Sequence, residues 1–404
     1  MAKIDYNDPL QRRKWVRDGM TQQAAMSIFD PMTSEASRSI VVLSRNSKAE
    51  DGHSTYFQLE GPVTARAIAG DETAFGKGET KRVYRDSIRV QRVRFPVDNG
   101  TEFDAVDIGA LNLANHSDSR RKLGDLWVRW TDQAKIDAAS GLRPNGAPTN
   151  RLVYHGASFG FNQLAQLHEA IETGSAPTGA DWTATGDFDR QPLEQVSTMD
   201  AKSQKPNGKP MWYFFIDPKV GSKLIQDQTM QNVISNADVR GERNRLIKGV
   251  MGDLVGLRIC QVNRFFGENT EDLGAIGEVG STGKLEYQNT IVSRPGIRYY
   301  KDTAGNDGAS PNVWLGDSTY ATASGTVYAR CFVLGSMAIK MGLGKSPDYI
   351  LQYSEDFKIK SESALEAWVN FDKFKLDQST GKPVPGADPG GVDFGVWVVD
   401  IKVS

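Results

Sequence analysis

The chain has 404 residues, 39% apolar and 24% charged, with a formal net charge of −2. That length exceeds what one compact core usually organises, so two domains, or one core with long extensions, is expected. The composition is that of a soluble folded protein, and the near-zero charge excludes a nucleic-acid-binding polycation, leaving such contacts to local patches.

Two cysteines, Cys260 and Cys331, give no disulfide framework and fit a reducing compartment. The apolar run CFVLGSMAI, between Arg330 and Lys340, is too short to span a bilayer. The opening MAKIDYNDPLQRRKW has charge but no apolar core, so no secretory signal is expected. A cytoplasm-like location follows as an expectation.

Residues 1–50 mix polar turns with weak helical fragments, LQRRKWVRDGM and TQQAAMSIFD, and break at Asp30-Pro31. They form no core of their own without a partner surface, so they read as an arm. Residues 51–105 are glycine-punctuated and strand-like. Ile88 and Val90 flank Arg89, and Val93, Phe95 and Val97 then alternate with Arg94. The phase slips at Gln91-Arg92, which predicts a bulge in a two-stranded ribbon. From Lys77 to Arg94 there are seven Lys or Arg and two Asp or Glu. A ribbon this basic is either a solvated hairpin or an arm lying across an acidic neighbour.

A long helix is predicted over 107–139, with Asp104 or Asp107 as N-cap. Leu123, Trp127, Trp130, Ala134 and Ala138 share one face as core anchors; Arg120, Arg121, Asp125, Arg129, Asp132 and Lys135 share the other. A loop, LRPNGAPTN, ends it. GFNQLAQLHEAIETG is helical, MWYFFIDP is a buried strand, and KVGSKLIQDQTMQNVISNA is helical again, which suggests a mixed α/β body. A turn leads into a strand at Leu257–Val262. Residues 267–325 read as a long surface insertion with short strands such as YQNTIVS and GIRYYK. TVYARCFVLGSMAIKMGLG reads as a helix whose Ala329, Gly335 and Ala338 allow close packing on a sheet. SALEAWVNFDKFKLD and VDFGVWVVDIKV finish the chain as strands.

MGLGKS, residues 341–346, ends like a phosphate-binding loop, but the opening glycine of that pattern is Ile339 here. Pro347 directly after Ser346 disfavours the helix such a loop must open. The expected alternative is a helix ending at Met341, with Gly342 and Gly344 as turn residues. The histidines, His53, His116, His155 and His168, make no metal-ligand spacing, and G-x-S-x-G, H-E-x-x-H and C-x-x-C are absent. No enzyme signature emerges.

Several stretches carry a family resemblance, in order along the chain: GDETAFGKGETKRVYRDSIRVQRVRFPV, DLWVRWTDQAKIDAASG, WYFFIDPKVGSKLIQD, ARCFVLGSMAIKMGLG and DFGVWVVD. A basic glycine-punctuated loop, a long helix with a W-x-x-W core and an α/β body resemble the major capsid proteins of tailed bacteriophages. More narrowly, they resemble the branch in large podoviruses that carry a virion RNA polymerase. The resemblance implies the α+β capsid fold shared by tailed phages and herpesviruses (Hong Kong phage type). Its parts would be an N-terminal arm at 1–50, an extended β-loop at 51–105, and a spine helix with peripheral domain at 106–205. An axial domain at 206–375, with the 267–325 insertion, and a C-terminal strand at 376–404 returning to the body would complete it.

The implied function is structural: pentamers and hexamers of an icosahedral shell around double-stranded DNA, assembled in the host cytoplasm, without catalysis, cofactor or metal. Expected partners are copies of the chain itself, scaffold, portal and decoration proteins, and DNA contacted non-specifically, with no membrane. Arg85, Arg89, Arg92 and Arg94 are the expected inter-subunit contacts. Some phage capsids crosslink through lysine and asparagine; no residue here matches that pair. Two alternatives stand beside this reading. One is a nucleotide-binding enzyme using Lys345. The other is a host- or carbohydrate-binding virion protein using Tyr299, Tyr300 and Trp314 of the insertion.

Overall fold

A computed structural model describes residues 27–36, 39–45, 47–48, 54–60, 67, 68, 70, 73, 75, 78, 83–101, 112–141, 151–179, 181–186, 196–199, 206–232, 250–254, 256–267, 278–279, 284–285, 292–302, 313–315, 326–353, 360–377 and 391–403. A 3-10 turn at Asp30–Met32 leads into β1 (Thr33–Ser34), β2 (Val41–Ser44), β3 (Ser47–Lys48), β4 (Ser54–Glu60), β5 (Val83–Arg89) and β6 (Gln91–Thr101). Helix α1 (Asn112–Ala139) is followed by β7 (Arg151–His155), α2 (Phe161–Thr173), β8 (Trp182–Gly186), β9 (Val196–Met199), β10 (Pro206–Ile216) and α3 (Pro218–Gln226). Then come β11 (Val250–Leu254), β12 (Leu257–Gln261) and the short β13 (Phe266–Gly267), β14 (Glu278–Val279), β15 (Lys284–Leu285) and β16 (Val292–Arg294). The remainder is β17 (Tyr299–Asp302), β18 (Val313–Leu315), β19 (Thr326–Leu334), β20 (Ile339–Tyr353), β21 (Lys360–Lys373), β22 (Lys375–Asp377), β23 (Gly391–Asp393) and β24 (Val396–Lys402).

Two sheets organise the body. The first has five strands in the order β1-β2-β20-β21-β6, and α1 packs on β21, β6 and β20. The predicted apolar face of α1 meets it: Leu123, Trp127, Trp130, Ala134 and Ala138 are all buried. The Trp130 ring lies 5.6 Å from Phe95 of β6 and 6.2 Å from Phe371 of β21, so one side chain ties the helix to two strands distant in sequence. The expected N-caps Asp104 and Asp107 lie outside the described residues.

The second sheet follows the order β11-β12-β10-β19-β24-β7-β8, with β9 added to β10 and β17 and β18 added at β19. MWYFFI in β10 is buried throughout, parallel to β12 and antiparallel to β19. Asp217 then caps α3, its carboxylate accepting from the Lys219 N–H at 2.7 Å. β20 and β21 fall within the 206–375 span, yet pair with β6 and β2 rather than with β10.

The predicted helix over TVYARCFVLGSMAIKMGLG is not there. Thr326–Leu334 is strand β19 and Ile339–Tyr353 is strand β20, joined by a turn in which Met337 has φ of 52°. β19 is buried on both faces from Val327 to Leu334, so its sequence shows no alternation. A strand covered on both sides cannot be told from a buried helix by periodicity. The small residues mark a crossing between sheets instead: a Cβ on Gly395 would lie 2.5 Å from the Ser336 carbonyl oxygen. Among the described residues no helix is long and apolar enough to cross a membrane.

Candidate assembly interface

β4 and β5 pair from Ser54↔Arg89 to Glu60↔Val83 and project as a hairpin whose connection is residues 61–82. Its root packs on the body. There Phe57 and Ile88 pack with Val42 and Phe374, the Phe57 and Phe374 rings edge to face at 5.5 Å. Gly342 is the seat of this contact. A Cβ on it would lie 2.7 Å from Ile88 Cγ2 and 3.0 Å from Val90 Cγ1, so the first glycine of MGLGKS lets the hairpin close on β20.

At Val90 the chain changes sheets. β5 bonds to β4, while β6 bonds to β21, so the phase slip at Gln91-Arg92 is a crossing between two sheets rather than a bulge in one ribbon. Asn370 holds the crossing, its Nδ2 donating to the Arg89 carbonyl at 2.7 Å.

The crossing divides the four candidate arginines. Arg85 sits on β5 opposite Gln58, and exposed Arg89 ends that strand. Arg92 and Arg94 are exposed on β6, opposite Trp368 and Glu366. Arg92 is engaged within its own chain: its Nη2 donates to Glu366 Oε2. Lys345 Nζ lies 3.5 Å from the other Glu366 oxygen and 3.5 Å from Asp348. The bond from Arg92 holds the Glu366 carboxyl below its ordinary value against the opposing effect of burial, with Lys345 assisting. Lys345 is thus a strand residue beneath two carboxylates, and Gly344-Lys345-Ser346 opens no helix on which a phosphate could sit.

Residues 27–30 are held where the sequence suggested only a polar helix face. Asp132 and Lys135 of α1 are 1% and 2% exposed. Ser27 donates its hydroxyl to Asp132 Oδ1 at 2.7 Å, and the Ile28 N–H donates to Oδ2 at 2.8 Å. Lys135 Nζ lies 3.8 Å from both Asp132 and Asp30. Burial raises the Asp132 carboxyl and lowers the Lys135 ammonium from their ordinary values, each opposed by the other's charge. Phe29 stacks on Phe215 at 5.4 Å, carrying this segment onto β10.

The same helix grips residues 292–298. Arg129 Nη1 donates to the Val292 and Ser293 carbonyls, Gln133 accepts from the Gly296 N–H at 2.8 Å, and Asp137 takes a two-pronged pair from Arg298 at 2.6 and 2.7 Å. Tyr299 and Tyr300, the candidate sugar-stacking pair, are buried in β17, and Tyr300 donates its hydroxyl to Asp400 at 2.8 Å. Trp314 lies opposite Tyr300 in β18 by backbone register. His155 is enclosed by Trp182 and Phe159, and burial lowers its imidazole below the ordinary value. Among the described residues no group of three or more His, Cys, Asp or Glu is placed to hold a metal ion.

A model of a family described as phage capsid protein matches residues 3–404. The chain belongs to the phage capsid protein family. The protein is therefore a structural, shell-forming major capsid protein, its partners are copies of itself, and its place is the virion capsid. The head structure of Helicobacter pylori bacteriophage KHP40 resembles it with a TM-score of 0.59 at 12% identity, covering 94% of this chain and 92% of that one. A capsid structure of Helicobacter pylori bacteriophage KHP30 gives 0.57 at 11% identity, over 94% and 92%. The capsid of Ralstonia phage GP4 gives 0.57 at 14% identity, over 94% and 91%. A comparison with curated proteins gives no match. At these identities the structural likenesses show a shared fold, and it is the α+β capsid fold of tailed phages that the quoted stretches implied.

Proposed function

We propose that copies of this capsid protein form the pentamers and hexamers of a closed icosahedral shell around double-stranded DNA. The subunit interfaces are built from its N-terminal arm (1–50) and extended β-loop (51–105). Spine helix and peripheral parts (106–205), an axial domain (206–375) and the returning C-terminal strand (376–404) complete the subunit. Scaffold, portal and decoration proteins join it during assembly in the host cytoplasm. A capsid family member's work is lattice closure, in which many modest contacts become collectively strong.

The observation that carries this reading is the β4–β5 hairpin, whose root packs on the body through Phe57 and Ile88. Its basic flank, seven Lys or Arg against two Asp or Glu between Lys77 and Arg94, suits an acidic surface on a neighbour. Arg85, Arg89 and Arg94 are the proposed inter-subunit contacts, with Arg92 shared between a neighbour and its own Glu366. The carbohydrate-binding alternative loses the support of Tyr299 and Tyr300, because both are core residues. Assembly from an equal mixture of isotopically light and heavy subunits, followed by lysine crosslinking and mass spectrometry, tests the loop assignment. Mixed-isotope crosslinks from Lys77 and Lys81 are expected. Crosslinks from those lysines only within one isotope would contradict it.

A further inference from the structure

Three large apolar side chains are exposed among the described residues: Tyr56 at 41%, Phe75 at 95% and Ile225 at 41%. Two of them lie on the 51–105 segment. Phe75 belongs to the 61–82 connection of the hairpin, where it is the sole bulky apolar residue between Ile68 and Val83. Its neighbours in sequence are small or charged: Asp71, Glu72, Gly76, Lys77, Gly78 and Glu79. A ring this exposed contributes nothing to the subunit's own core. A lone aromatic set among charged residues has the composition of an interface anchor inside a polar rim.

We propose that Phe75 anchors the extended loop on a second copy of this chain, its ring entering an apolar site on the neighbour while the flanking basic residues meet acidic groups around it. The proposal rests on the shell reading above, which supplies the second copy. Charge favours that occupant. The segment from Lys77 to Arg94 carries +5, and the whole chain at −2 less this +5 leaves −7 on the remainder, so the rest of each subunit is opposite in net charge to its neighbour's loop. Aromatic rings desolvated at the centre of an interface carry a disproportionate share of binding, while charged rims mainly steer and orient.

The test uses the full-length chain and its Phe75→Ala and Phe75→Trp variants. Thermal unfolding of the unassembled subunit is measured first, then the threshold concentration for shells by sedimentation and electron microscopy. Alanine should leave the unfolding temperature unchanged, because the ring is solvent-exposed, and raise the assembly threshold about tenfold or more. Tryptophan should restore the threshold to within about threefold of the parent, since an apolar aromatic is retained. A threshold for the alanine variant within about twofold of the parent overturns the anchor and leaves the shell reading standing. A marked fall in its unfolding temperature also overturns the anchor, by showing that the ring serves its own subunit. Absence of shells from the parent chain overturns the shell reading, and the anchor with it.

Discussion

Arg298 and Asp137 meet two-pronged at 2.6 and 2.7 Å, with side chains only 2% and 3% exposed. Removing one partner leaves the other charged and dry, so Arg298→Ala is expected to cost about 3–5 kcal/mol in denaturant unfolding of the subunit. Glu366 acts differently. Its carboxyl is held below the ordinary value of 4.5, chiefly by Arg92, so its contribution to stability is present above that pH and is lost as the pH falls through the lowered folded value. The stability difference between the parent and Glu366→Gln, followed by thermal unfolding from pH 7 to pH 3, should therefore shrink below about pH 4.5. A difference that grows on acidification would contradict this. At Gly342 even one methyl group meets Ile88 and Val90, so Gly342→Ala should cost about 1–3 kcal/mol by overpacking and loosen the hairpin root. Faster hydrogen exchange in β4 and β5 would report that loosening.

At the scale of elements, the sequence is legible wherever one face is wet. α2 appears where GFNQLAQLHEAIETG placed it, and α1 buries the face that its leucine, tryptophans and alanines marked. Legibility fails where an element is covered all round. The last turns of α1 are buried from Trp130 to Ser140, and Asp132 and Lys135, read from the sequence as an outward face, each find a partner on another segment, as does Asp137. β19 fails for the same reason, since burial on both faces erases the alternation that identifies a strand. MGLGKS misled because a glycine demanded by the approach of another strand looks, in sequence, like a glycine demanded by a turn. The sheet crossing at Val90 left a trace in the slipped phase, but periodicity could not say that the two halves join different sheets. Because Trp130 touches both Phe95 and Phe371, Trp130→Ala should cost about 3–5 kcal/mol, measured by denaturant unfolding, and destabilise both strands together.

For the whole molecule, α1 is tied by part-buried and buried polar contacts to residues 27–28 and to Gly296 and Arg298, while the β4–β5 hairpin packs on the body at Phe57 and Ile88. This separates stability of the subunit from assembly of the shell. Arg89 and Arg94 are exposed, so Arg89→Glu with Arg94→Glu should change subunit stability by no more than about 1 kcal/mol and still block shell formation. Arg92→Glu should weaken both, because it also faces Glu366. The most direct test of the account is electron microscopy with sedimentation of the full chain, expressed alone and together with a scaffold protein. Shells, tubes or rings of capsomers are the predicted result. A clean monomer or small oligomer under both conditions would contradict it.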